Sequence, residues 1–396
     1  MRQKLTTFLS IIFLLISIES LNAQWIRLSG SPDGPLSFYT IGTRIVCGTY
    51  YWNGIYYSTN DGINWIHSNI TNRNGFALAA NATTMFAGTE YGVYKSTDNG
   101  STWTLTPQEI FTLSLAFSNN NLFAGTQALG VYISTDNGNN WSQTALKNKT
   151  VLSLFVSGSK ILAGTDTSGI FYSTNNGSNW YRSNLTTQYV YQFTSLGSSF
   201  YTASYGGIHK STDGGVNWSQ SGLNSYSGVS IISKDNYLFA GTFGNGVFLS
   251  SNGGYTWIPK NQGLGTALYI STLFVSGNYI YTGNGINVGI LRRDYSEIIG
   301  IKKNSEEVPD KYSLYQNYPN PFNPWTIIKF QIKDSRLVTL KVYDILGKEI
   351  ETLVSEKLIP GSYEVTFSAS QYPSGDYFYQ LSTEGFSETK KMLLIK

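Results

Sequence analysis

The chain has 396 residues, enough for two or three domains with sizeable cores. Charged residues make up only 13% and the formal net charge is +3, and the adjacent basic residues, Arg292-Arg293, Lys302-Lys303 and Lys390-Lys391, build no larger cluster, which argues against nucleic acid as a partner. Gly, Tyr, Ser, Thr and Asn dominate, a composition of short strands and tight turns, and the single cysteine, Cys47, excludes an intrachain disulfide.

At the N-terminus, Arg2 and Lys4 precede an apolar run centred on Ile11 to Ile18 and then Leu21-Asn22-Ala23. This is the layout of a secretory signal peptide over residues 1–23, with cleavage expected after Ala23. The run is short for a membrane span, and no later stretch reaches spanning length.

From residue 58 onward one octet returns at a nearly constant interval: Ser58 to Trp65, Ser96 to Trp103, Ser134 to Trp141, Ser173 to Trp180, Ser211 to Trp218 and Ser250 to Trp257. Its tryptophans, Trp65, Trp103, Trp141, Trp180, Trp218 and Trp257, are spaced by 38 or 39 residues, a repeat period. A Gly-Val or Gly-Ile step precedes each copy, at Gly54, Gly92, Gly130, Gly169, Gly207 and Gly246. Turn signals divide each repeat into four strands, as in Thr112 to Phe117, Leu122 to Thr126, Val131 to Ser134 and Trp141 to Gln143. The Ser and Asp side chains are expected to bond turn amides, Gly to reverse the chain, and Trp to be buried between neighbouring units. Asp98, Asp136 and Asp213 hold the acidic place, but Asn60, Asn175 and Asn252 replace it elsewhere. A turn tolerates that exchange, whereas a catalytic acid does not. The octet resembles the Asp-box of sialidases, sortilin and related propellers.

Four-stranded units of this size match propeller blades. A seventh Gly-Ile step, Gly289-Ile290, has no octet after it, while Trp25 lies 40 residues before Trp65, one repeat early. The expectation is a seven-bladed β-propeller over residues 24–295, closed by the N-terminal strand around Trp25, with an open solenoid as the competing arrangement. Alternating strand direction puts the loops between second and third strands on one face and the Asp-box hairpins on the other. On the first face the sequence varies from repeat to repeat, and Tyr51, Trp52, Tyr91, Tyr205 and Phe243 are the candidate ligand-binding residues. Aromatic rings beside amides suit sugar rings or extended peptides. The alternative is that these rings cover neighbouring blades.

Residues 296–311 concentrate charge at Glu297, Lys302, Lys303, Glu306, Glu307 and Asp310, and read as a linker. Alternating runs follow at Thr326 to Ile332, Leu337 to Tyr343, Tyr363 to Phe367, Tyr377 to Leu381 and Met392 to Ile395, expected to form an immunoglobulin-like β-sandwich over 312–396. The segment Asn317-Tyr318-Pro319-Asn320-Pro321-Phe322-Asn323-Pro324, with Val342 to Gly347, Pro360 to Tyr363, Pro373 to Tyr379 and the basic-apolar end Lys390 to Lys396, resembles the type A sorting domain of the type IX (Por) secretion system. Trp325 departs from the Ser or Thr commoner there. The resemblance implies recognition by the type IX machinery through an end that includes Lys390, Lys391 and Lys396. It also implies export from a Gram-negative cell, removal of the domain, and release or attachment to surface lipopolysaccharide. A carbohydrate-binding or spacer sandwich is the alternative.

Two functional classes remain open. One is a secreted or cell-surface binding protein for a glycan or protein ligand, or an assembly factor like the photosystem stability propellers. The other is a sialidase- or xyloglucanase-like glycoside hydrolase. Resemblance to sialidases implies three carboxylate-binding arginines, yet the repeats offer Arg27, Arg44, Arg73, Arg182, Arg292 and Arg293 without a recognisable Arg-Ile-Pro setting. Glu90, Glu109 and Asp166 are the acids outside Asp-boxes and short turns that are candidates for the ligand side, with no spacing that pairs two of them. His67 and His209 stand apart and read as packing residues, so neither a metal nor another cofactor is expected.

Overall fold

The computed structural model describes residues 24–107, 109–186, 189–284, 288–305, 307–369 and 372–396. The expected signal peptide, Glu306 and the middle of the 284–288 loop lie outside the described residues.

Alternating apolar residues bounded by Gly-rich turns produce short antiparallel sheets throughout. In one repeat the strands are Thr112–Ser118, Asn121–Thr126, Gly130–Ser134 and Ser142–Lys147, hydrogen-bonded in chain order. Sheets of this form occupy residues 35–67, 77–105, 112–147, 151–182, 190–220 and 228–259. A seventh takes three strands from residues 270–294 and its fourth from Ile26–Arg27, with Ile26 opposite Arg292 and Arg27 opposite Leu291. The first strands of successive sheets pack side by side in cyclic order, the seventh returning to the first. All seven line a central channel of about 300 Å³, contributing Ser37, Leu78, Leu115, Leu154, Phe193, Ile232 and Leu273.

The tryptophans cement neighbouring sheets. Trp103 is buried among Val46 and Ile55 of the first sheet and Met85 and Ala87 of the second. Trp141, Trp180, Trp218 and Trp257 occupy the equivalent junctions, and Trp65 packs with Ile45 of the first sheet and Leu28, Tyr281 and Ile290 of the seventh. Trp25 takes the same place between the sixth and seventh sheets, beside Phe239 and Leu291. It is 2% exposed, with its Nε1 donating to Lys260 O at 2.7 Å and its backbone N to Gln262 O at 2.8 Å. Burying such a ring contributes at most about 4–6 kcal/mol by area.

Residues 296–311, expected as a linker, hold ordered elements in their first part. A short helix covers Tyr295–Ile299, capped by the Asp294 carboxylate, and Ile301–Ser305 forms a strand against Gly361–Ser368. The charge pattern concealed Ile298, Ile299 and Ile301, whose apolar side chains are all buried and outweigh their charged neighbours. The C-terminal region then forms two four-stranded sheets. One joins Ile301–Ser305, Ser313–Leu314, Trp325–Ile332 and Gly361–Ser368; the other joins Arg336–Tyr343, Glu349–Leu358, Gly375–Thr383 and Phe386–Leu394. Alternate residues of both sheets, among them Ile328, Phe330, Val342, Phe367, Tyr379 and Met392, face a common core. Tyr363 and Tyr377 each donate a hydroxyl to a carbonyl four residues upstream, Ile359 O and Pro373 O, fixing two chain reversals.

This core is continuous with the ring. Tyr237, Phe239, Tyr295 and Ile298 belong to one apolar cluster with Leu353 and Val354. At its margin Tyr237 donates to Leu353 O at 3.3 Å, and Asn236 Nδ2 donates to Ser355 Oγ at 2.9 Å. Burial pushes the Lys260 ammonium down to about 8, with Arg293 adding to the effect and Glu351 opposing it. Burial likewise raises the Glu351 carboxyl, against a hydrogen bond from the Tyr372 hydroxyl and the charge of Lys260.

Candidate functional site

The two faces of the ring differ in chemistry. On the octet face each Ser hydroxyl accepts the backbone N–H of the Gly four residues on: Ser58 from Gly62, Ser96 from Gly100, Ser134 from Gly138, Ser173 from Gly177, Ser211 from Gly215 and Ser250 from Gly254, all within 2.8–2.9 Å. The acidic place is used in one way whether Asp or Asn fills it. Asp98 Oδ1 accepts from Thr102 N at 2.9 Å, and Asn175 Oδ1 from Asn179 N at 2.9 Å. For Asp136, hydrogen bonds led by the Asn140 side chain hold the carboxyl below its usual range. At Asp213 partial desolvation is overcome by hydrogen bonds from Asn217, Ser211 and Val216, which bring it to about 2. Asp98 is lowered in the same manner, desolvation being outweighed by bonds from Thr102, Ser96 and Ser101. These carboxylates are turn acceptors. Trp65, Trp103, Trp141, Trp180, Trp218 and Trp257 follow them into the junctions described above.

The opposite face carries the five candidate ligand-binding residues, each on a loop between a second and a third strand. Ring closure brings two of them together. Tyr51 and Phe243 line a cavity of about 480 Å³ at the seam where the first, sixth and seventh sheets meet, with Tyr50, Tyr269, Thr266 and Asn284. Tyr50 and Tyr51 meet edge to face at 4.8 Å between ring centroids, and Phe243 and Tyr269 do the same across the cavity. Tyr51 and Trp52 both adopt left-handed backbone, with φ of 58° and 54°, a conformation rare for large side chains. Strain of this kind persists where surroundings hold it and gathers at ligand-contacting loops. Asn284 is 3% exposed, and its Nδ2 has no hydrogen-bond partner among the described residues. Tyr50 and Asn284 lie on the variable loops of this face without being among the five candidates; Tyr269 was missed, because only the fold brings it beside Phe243.

Trp52, Tyr91 and Tyr205 stand outside this cavity. The Trp52 backbone N donates to Asn74 Oδ1, and its ring is exposed. Arg73 lies 3.9 Å over the Tyr91 ring, and Tyr205 bonds through its backbone to Tyr189. The candidate acids are dispersed. Glu90 accepts the Asn74 backbone N–H, Asp166 accepts that of Thr167, and Glu109 is exposed between the second and third sheets. Arg44, Arg182, Arg292 and Arg293 donate to backbone carbonyls, Arg44 clamping the turn at Asp98 and Asn99. His209 is buried with its Nδ1 beside Ser204 Oγ, and desolvation lowers its affinity for a proton; His67 stacks on Tyr56 at 4.2 Å. No cluster of three metal-ligating side chains occurs among the described residues.

In the C-terminal sheets the Pro-rich stretch is tied to the chain end. Asn317 is 2% exposed, its backbone N donates to the Tyr379 hydroxyl, and its Nδ2 donates to Thr326 Oγ1. Phe322 N donates to Leu393 O and Ile395 N to Phe322 O, while Asn320 Oδ1 accepts Leu393 N. Lys390 pairs with Glu388 and Lys391 with Asp376 on the last two strands; Lys396 N donates to Ser374 Oγ. No helix among the described residues is long and apolar enough to cross a membrane.

No curated protein matches the chain in sequence. In solved structures, PorZ, a bacterial surface component of the type IX secretion system of Porphyromonas gingivalis, aligns at 13% identity and TM-score 0.58, covering 93% of this chain and 60% of that one. The extracellular domain of BT4673 from B. thetaiotaomicron aligns at 11% and 0.57 over 94% of this chain and 59% of that one. YCF48 bound to D1 peptide aligns at 17% and 0.55, covering 70% of this chain and 98% of that one. At these identities the likeness is one of fold, and together with the ring of sheets it identifies a β-propeller. Residues 316–396 match the family of secretion system C-terminal sorting domains, so the chain ends in a type IX sorting domain and is directed to secretion through that machinery.

Proposed function

We propose that this is a seven-bladed Asp-box propeller, closed by the strand after Trp25, that works outside the cell as a binding protein for a glycan or protein ligand. The observation carrying this reading is the seam cavity, where ring closure gathers Tyr50, Tyr51, Phe243 and Tyr269 around the buried amide of Asn284. Aromatic walls with few polar groups are the usual make-up of a recognition pocket. The bound peptide of YCF48 is in keeping with a propeller acting by binding. Residues 24–295 are the binding unit, and residues 312–396, an immunoglobulin-like sandwich, are the cleavable export signal. Release or lipopolysaccharide attachment follows its removal.

The test is to present purified protein to glycan and peptide arrays beside a Tyr51→Ala/Phe243→Ala variant. Binding is expected for the wild type and lost in the variant, with the melting temperature within about 2 °C because both rings are largely exposed. Equal binding by both proteins overturns the assignment of the site. For export, removal of residues from Lys390 onward is expected to hold the protein in the periplasm, and surface delivery of the truncated chain refutes the role given to the C-terminal end.

A further inference from the structure

The C-terminal sheets begin before the sorting family does. The family match opens at residue 316, yet the sheet of Trp325–Ile332 and Gly361–Ser368 is completed on its outer side by Ile301–Ser305, a strand from the ring's end of the chain. The pairing is antiparallel, with Ile301 opposite Val365, Lys302 opposite Glu364 and Lys303 opposite Tyr363. Asn304 Nδ2 adds a bond to Glu364 Oε2 at 2.8 Å. A strand laid on a sheet edge is held by main-chain hydrogen bonds and placed by its alternate side chains. Here Ile301, 1% exposed, enters the core that contains Tyr363 and Val365.

The same strand is fastened to the ring. The helix leading into it, Tyr295–Ile299, buries Ile298 and Ile299. Tyr295 donates its backbone N–H to Asn278 O at 2.8 Å and its hydroxyl to Asp235 Oδ2 at 2.7 Å. Its aromatic ring meets Tyr237 and Phe239 of the sixth sheet edge to face. Beyond the strand the chain changes character: Glu307, Val308, Asp310 and Lys311 are exposed, and residues 307–312 lie in no helix or strand. Proteases cut where exposed backbone can leave its place without breaking a ladder. The first accessible stretch between ring and sorting domain therefore lies on the far side of the strand. A cut there leaves Ile301–Ser305 joined to the ring and its pairing partner, Gly361–Ser368, joined to the sorting domain.

Resting on the reading of the sorting domain as a removable export signal, we infer that Ile301–Ser305 is a latch, which holds that domain on the ring after the chain is cut between Glu307 and Lys311, so that cutting and release are separate steps. Release requires the strand to be withdrawn, which strips the edge of Gly361–Ser368 of its partner and returns Ile301 to water. The test is to insert the recognition sequence of a site-specific protease between Pro309 and Asp310 of the full chain and to cleave it completely. Size-exclusion chromatography in native buffer is expected to return both fragments in one peak at the position of the uncut protein, and hydrogen exchange over residues 361–368 to stay as slow as before the cut. Ile301→Ala is expected to weaken the hold between cut fragments about thirty-fold, read as the concentration at which the peaks separate. The uncut variant is expected to remain folded, because the covalent link keeps the strand at high effective concentration. Asn236→Ala, at the separate contact with Ser355, is expected to leave the cut fragments together. Separate peaks on cleavage of the chain with Ile301 in place overturn the latch. Cut fragments that stay together with protection over residues 361–368 lost, and that part only in Asn236→Ala, overturn it as well, since the hold then belongs to the hairpin at Asn236. These results do not depend on whether the cell removes the domain. Mass determination of the exported protein reports that step, and a mature chain still carrying residues 312–396 overturns the removal reading alone.

Discussion

The two faces of the ring are built by opposite strategies. On the octet face a Ser, an Asp or Asn and a Gly repeat one set of hydrogen bonds in six of the sheets, from Ser58–Gly62 to Ser250–Gly254, each followed by a Trp. On the loop face no two connections share a sequence, and a cavity arises where the ring is closed between sheets brought together from the two ends of the propeller. Uniform turns are what a self-stacking repeat needs, since each must meet the same neighbour. A binding site needs asymmetry, and the seam supplies it.

The contrast can be broken first at the junctions. Trp25→Ala removes a buried ring and its bond to Lys260 O, and is expected to cost about 3–5 kcal/mol, read as a shift in chemical denaturation midpoint. A loss below about 1 kcal/mol would mean that the seventh sheet holds without it. Next comes Gly169→Ala. Gly169 has φ of 74°, and a Cβ there would stand 1.7 Å from Leu185 O, so the backbone must shift. A loss of about 1–3 kcal/mol is expected by the same assay. Smaller is Ser96→Ala, which leaves the Gly100 amide without its acceptor and is expected to cost about 1–2 kcal/mol.

Smallest at neutral pH is Asp213→Asn, since Asn fills this place in Asn60, Asn175 and Asn252 with the same bond to the turn. The Asp213 carboxyl titrates at about 2 in the folded protein, below its unfolded value of about 3.9. Its contribution is therefore present above about pH 4 and is lost as pH falls through about 2. Thermal melts between pH 4 and 2 should fall more steeply for the wild type than for Asp213→Asn. Parallel curves would show that the charge adds nothing to the turn.

Much of the ring was readable because its cause is local and repeated. Ser134 to Trp141 specifies a turn that forms within eight residues, and the first three strand spans expected around it agree closely with the sheet of residues 112–147. Elsewhere charge misled. Glu349–Leu358 is a strand of the C-terminal sheets that went unpredicted because Glu349, Glu351, Glu356 and Lys357 interrupt its apolar residues. The Ile298 to Ile301 segment was hidden in the same way, and its burial depends on the sheets that surround it.

The sequence by itself determined the rhythm of the tryptophans, the chemistry of the turns and the sorting motifs at the end of the chain, because each is carried by short stretches of consecutive residues that read the same in any fold. Only the tertiary structure decided that Tyr51, Phe243, Tyr269 and Asn284 share a cavity, and that the ring and the C-terminal sheets share one apolar core. Those groupings join residues more than a hundred positions apart, and the contacts that select them exist only once the sheets have packed together.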